Sequence, residues 1–112
     1  MDPRIVEAAK DLRRECAEDY VGLWCLPSQI LHYVKLPPGV ERKALSVEIA
    51  QQLLSDPDII VGQFHKLEFQ PWNLSARNSY DRISREWDAL GKEPGLGDIC
   101  WFTENAFHLT NR

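Results

Sequence analysis

Three histidines and three cysteines are the groups best suited to chemistry in this chain, and none is spaced for it. A metal site needs two to four ligands brought together, commonly by His-x-x-x-His or Cys-x-x-Cys spacing. His32, His65 and His108 fall on what read as a helix, a hairpin turn and a tail, and Cys16, Cys25 and Cys100 form no Cys-x-x-Cys unit. Each histidine therefore reads as a surface side chain, and no metal or cofactor is expected. Nucleophilic catalysis needs a thiolate beside a base, but Cys100 lies between Ile99 and Trp101, surroundings that raise a thiol's pKa. Cys16 falls on a helix stripe and Cys25 in an apolar cluster, so all three thiols read as core. Gly95-Leu96-Gly97 follows a helix instead of opening one and fails the context of a phosphate loop. Acid pairs exist at Glu18-Asp19, Asp56/Asp58 and Glu86/Asp88, but the last pair flanks Trp87 and points to solvent. No catalytic residue emerges.

Composition narrows the classes further. The chain has 112 residues, 44% hydrophobic and 27% charged, which predicts one domain with an unassisted core. Its net charge is -4, and the densest basic clusters, Arg13-Arg14 and Arg42-Lys43, are flanked by acids. That balance disfavours phosphate binding. An odd cysteine count without Cys-x-x-Cys fits reduced thiols, and the amino terminus lacks the layout of a signal peptide. No apolar run approaches membrane-spanning length, so a cytoplasmic protein without membrane contact is expected.

The elements that would position these residues follow from punctuation and period. Asp2-Pro3 caps and opens a first helix to about Asp19, with Ile5, Ala9, Leu12, Cys16 and Tyr20 on one stripe. Pro27 opens a second helix with Ile30, Leu31 and Val34 inward, and Pro37-Pro38-Gly39 forces a turn. A third helix spans about Glu41 to Leu54, with Leu45, Ile49 and Leu53 inward and Glu41 favouring its positive end. Ile59 to Phe64 reads as a strand, His65-Lys66 as a turn, and Leu67-Glu68-Phe69 as the return strand, ended by Pro71. Ser75 caps a fourth helix carrying Tyr80, Ile83, Trp87 and Leu90, and Gly91 is its left-handed cap. Ile99 to Phe102 reads as a short strand covered on both faces. Residues 1–102 thus predict a single α+β domain, and 103–112 a tail expected to fray.

Three helices followed by a hairpin is a winged-helix-like order, an analogy that carries no function with it. Gly22-Leu23-Trp24, Val61-Gly62-Gln63-Phe64, Phe69 to Ser75, Ile83 to Gly91 and Gly97 to Phe102 give the chain a recognisable pattern. It resembles a family of small uncharacterised bacterial proteins with a Glu-Trp-Asp-x-Leu-Gly…Gly-Asp-Ile-x-Trp-Phe signature. The resemblance implies a bacterial context and no activity, cofactor or site residue.

Three functional readings remain. The first is a non-catalytic protein acting by contact with another protein, immunity- or adaptor-like, with a second copy of the chain among the candidate partners. Trp72 lies outside any stripe beside the end of the hairpin, so Trp72, His65 and Lys66 are its candidate contact residues. The second is a winged-helix-like DNA-binding regulator whose third helix presents Arg42, Lys43, Ser46, Gln51 and Gln52, with Lys66 on the wing. Glu41 and Glu48 offset its basic residues, so nucleic acid is disfavoured. The third is an enzyme whose site is assembled from scattered residues.

Overall fold

The first helix begins where its caps place it. In a computed structural model that describes residues 2–37 and 41–111, the Asp2 carboxylate accepts the Arg4 backbone N–H at 2.8 Å, and Pro3 occupies the first turn. Helix α1 spans Pro3–Cys16 and buries Ile5, Ala8, Ala9, Leu12 and Cys16. It stops three residues short of Asp19, so Tyr20 leaves the stripe. The stop has a tertiary cause: the Thr103 hydroxyl donates towards the Cys16 and Asp19 carbonyls, at 3.3 and 3.0 Å, satisfying acceptors a helix end leaves free.

Strand β1, Val21–Gly22, follows. Helix α2 spans Cys25–Tyr33 with Pro27 in its first turn, and buries Leu26 and Ile30. Leu31 was expected inside but is 49% exposed; the helix buries Leu26, Pro27 and Ile30 instead. The expected turn at Pro38-Gly39 lies outside the described residues. Helix α3, Lys43–Leu54, starts later than expected, with Arg42 at its N-cap, which leaves Glu41 outside the first turn. It packs against α1 and α2 and is the central helix, burying Ser46, Ile49, Ala50, Leu53 and Leu54.

Strands β2, Ile59–His65, and β3, Glu68–Pro71, form the expected hairpin. Helix α4, Ala76–Leu90, is capped as its residues dictate: the Ser75 hydroxyl accepts the Asn78 N–H at 3.1 Å, and Gly91 takes φ +74°. Strand β4, Trp101–Glu104, then inserts between β1 and β2, giving an antiparallel sheet of order β1-β4-β2-β3. The fold is α+β. Ile99 does not join β4, because its φ is +69° and the Cys100 N–H turns back to the Asp98 carbonyl at 2.9 Å.

The expected frayed tail is ordered instead. Thr103 and Glu104 complete β4, and helix α5 runs over Asn105–Asn111. The Asn105 N–H donates to the Asp58 carbonyl at 2.8 Å, and His108, expected on the surface, is buried with Nδ1 2.9 Å from the Tyr20 hydroxyl.

Register divides the sheet into two faces. Val21, Phe102 and Val61 lie opposite one another and join the helical core. By alternation Gly22, Trp101 and Gly62 share the other face, where aromatic rings stack edge-on in series. Trp24 meets Trp101 at 4.6 Å, Trp101 meets Phe64 at 5.1 Å, and Phe64 meets Tyr20 at 4.9 Å. Phe107 of α5 closes on Tyr20 at 5.3 Å.

One ion-pair network ties the ends of the fold together. Arg13 of α1 donates to Asp56 at 2.7 Å and to Glu104 of β4 at 2.9 Å. The Arg13 hydrogen bond holds the Asp56 carboxyl below the usual aspartate range. A depressed carboxylate stabilises the fold fully above its unfolded pKa, and loses that contribution as pH falls through the folded value. Arg13→Met is therefore expected to cost about 1 kcal/mol near pH 7, the partly exposed groups limiting it, and almost nothing at about pH 2. Urea unfolding at both pH values checks this; an equal gap at both would contradict it.

Candidate functional site

The hairpin, the segment after it, α4 and the approach to β4 enclose a cleft of about 650 Å³. Its walls are aromatic: Phe64 and Trp101 from the outer sheet face, and Trp72 from just past β3. Gln63, His65, Gln70 and Arg82 supply the polar groups. The Gln63 side-chain amide is spent on the Ile99 carbonyl at 2.9 Å, which anchors the loop before β4.

Arg82 sits over Trp72, its guanidinium carbon 4.0 Å from the ring centroid. Its Nε donates to Glu86 one turn further along α4. The Trp72 indole N–H is buried and has no hydrogen-bond acceptor among the described residues.

Backbone strain collects around this cleft. The non-glycine residues with left-handed φ among the described residues are Lys66 (+52°), Leu67 (+68°), Asn73 (+56°) and Ile99 (+69°). Ile99 lines the cleft, Asn73 follows Trp72, and Lys66-Leu67 is the two-residue turn directly after His65. Such residues cost of order 1–3 kcal/mol each and gather where a structure clamps a ligand or partner. Leu67 is 98% exposed at the hairpin tip, and Leu96, beside the lining residue Gly97, is 82% exposed. Two bare leucines thus lie within two residues of the cleft's lining in the chain.

Of the contact residues expected from sequence, Trp72 and His65 are brought together in the cleft, and Lys66 lies one residue beyond His65 on the turn. Phe64, Arg82, Ile99 and Trp101 were not expected there. The Arg82–Glu86 spacing is visible in the chain, but its stacking on Trp72 has no local signature. The basic residues of the DNA-binding reading are differently placed. Arg42 donates twice to Glu93, at 2.7 and 2.6 Å, and Lys43 pairs with Asp88 at 2.8 Å. Ser46, expected to face outward, is fully buried because α3 is packed on several sides. Gln51 is exposed on α3, and Lys66 stands apart on the hairpin turn.

The three thiols lie in or against the core. Burial pushes Cys16 up to about 12 and raises Cys25 and Cys100 as well, so none is poised as a thiolate. Among the described residues no three His, Cys, Asp or Glu side chains gather to hold a metal ion, and no helix is long and apolar enough to cross a membrane.

No protein-family profile, curated protein or solved structure matches the chain.

Proposed function

We propose that this protein acts by contact with another protein, in the manner of an adaptor or immunity protein, through the hairpin tip and the aromatic cleft behind it. One observation carries the reading. The hairpin turns on Lys66 and Leu67, both at positive φ, where Asn-Gly would sit without strain, and that turn holds a leucine almost wholly in water. The strained turn costs the isolated fold, and a partner that covers Leu67 gains apolar burial that the free protein does not have. Trp72 and Phe64 behind it are the aromatic type that anchors protein interfaces. Arg42 spends both Nε and a terminal nitrogen on Glu93 and Lys43 pairs with Asp88, which lowers the count of free phosphate contacts and favours protein contact over DNA binding.

Affinity capture from the native host, comparing the wild-type chain with Leu67→Asp, tests this. A stoichiometric partner retained by the wild type and reduced at least tenfold by Leu67→Asp is the expected result, since one buried apolar anchor carries about 1.5–3 kcal/mol. Capture of no stoichiometric protein, or of one indifferent to Leu67→Asp, would remove the reading.

A further inference from the structure

The lining of the aromatic cleft contains no carboxylate, although the chain carries 17 acidic residues and a net charge of -4. Four other clefts among the described residues are each lined by at least one Asp or Glu: Asp88, Asp56, Asp81 and Glu48 are examples. Here the one charged side chain in the lining is Arg82, with Lys66 and Glu68 beside His65 on the hairpin and Asp98 between the lining residues Gly97 and Ile99. Arg82 is one-third exposed at 33%, and among the described residues only its Nε is engaged, by Glu86. Its terminal nitrogens donate to no acceptor among the described residues, and its guanidinium carbon rests 4.0 Å from the Trp72 ring centroid. A guanidinium packed on an aromatic ring with its fork unspent can bind a carboxylate through paired hydrogen bonds.

We infer that the cleft takes an acidic segment of the partner protein, with an Asp or Glu carboxylate on Arg82 and a neighbouring apolar side chain between Phe64 and Trp101. This rests on the protein-contact reading and names the chemistry its partner must bring. The volume, about 650 Å³, suits two or three side chains more than a single small ion. The bare Leu67 and Leu96, each within two residues of the lining in the chain, are surface that a peptide can cover and a free metabolite leaves wet. Glu86 acts as an internal competitor, an acidic side chain already resting on the same guanidinium. The partner's carboxylate takes the terminal nitrogens, and removing the Glu86 charge strengthens its hold.

Fluorescence anisotropy with two labelled peptides tests this on the full chain: one alternating Asp with Leu and Phe, the other identical but with Asn for Asp. The acidic peptide is expected to bind at least tenfold more tightly than the Asn peptide. Arg82→Gln should erase most of that preference, bringing the affinities for the two peptides close together. Glu86→Gln should move the acidic peptide the other way, to several-fold tighter binding, a gain that a merely structural Arg82–Glu86 pair does not give. Should Arg82→Gln fail to fold, Arg82→Lys and Glu86→Gln still decide, since Lys keeps the charge and loses the fork. Equal affinity for the two peptides, no binding of either, or unchanged preference in Glu86→Gln and Arg82→Lys would overturn the inference. Succinate binding as tightly as the acidic peptide would overturn the choice of a protein segment. Capture sensitive to Leu67 without any acidic preference would sink this inference and leave the contact reading standing.

Discussion

Gly62→Ala is expected to lower stability by about 2–3 kcal/mol, which for a domain of this size moves Tm by roughly 10 °C. Gly62 lies in the middle of β2, opposite Pro71 on one side and Trp101 on the other. A Cβ built there meets the Gln70 carbonyl oxygen at 2.3 Å and the Pro71 Cα at 2.8 Å. Both are backbone atoms, so no rotamer change relieves the clash. Strand β3 must shift, and its ladder to β2 weakens with it. Because Gln70, Pro71 and Trp72 form one wall of the cleft, the same shift should also impair partner binding beyond the loss of stability. Thermal unfolding followed by circular dichroism checks the first effect; a Tm within about 2 °C of wild type would show that β2 and β3 are not this closely apposed.

The second large effect lies at the hairpin tip and has the opposite sign for stability. Lys66 and Leu67 both occupy the left-handed region, where a residue with a Cβ costs roughly 1–2 kcal/mol. Asn-Gly relieves most of that strain, and Leu67 at 98% exposure gives up no packing. Lys66→Asn/Leu67→Gly is therefore expected to gain about 1–2 kcal/mol, after allowing for the extra freedom glycine brings to the unfolded chain. The edge beside this turn is already guarded. The Trp72 N–H donates to Val61 at 2.9 Å, so Pro71 occupies a non-hydrogen-bonded position of β3, where its missing donor is harmless and blunts the edge. An edge protected against chance pairing next to an unprotected leucine tip is what selective contact requires.

Much of the fold was readable from local chemistry. Asp2-Pro3, Ser75 and Gly91 are caps whose effect is decided within one turn, and they bound α1 and α4 as their types dictate. Cys16 and Cys100 were legible as core because their neighbours are apolar. What was not legible depends on distant partners. The two-residue strand β1 exists only because β4 lies beside it, and α1 ends at Cys16 because Thr103 reaches its carbonyls. The tail became β4 and α5 through Tyr20 and Asp58, neither near it in the chain. The turn fell one residue later than expected because Leu67, apolar and apparently suited to a strand, takes a conformation its type disfavours. That departure marks the candidate site. The cleft itself was half visible: Trp72 and His65 stood out by position, whereas Arg82 and Ile99 reach it through a helix face and a strained loop that no local pattern announces.

Melting and native-host capture of Lys66→Asn/Leu67→Gly, measured side by side with the wild type, bear most directly on the claim that the tip is kept for a partner. The account predicts a protein that melts several degrees higher and has lost its partner. A variant that is stabilised and still captures its partner at the wild-type level would contradict it.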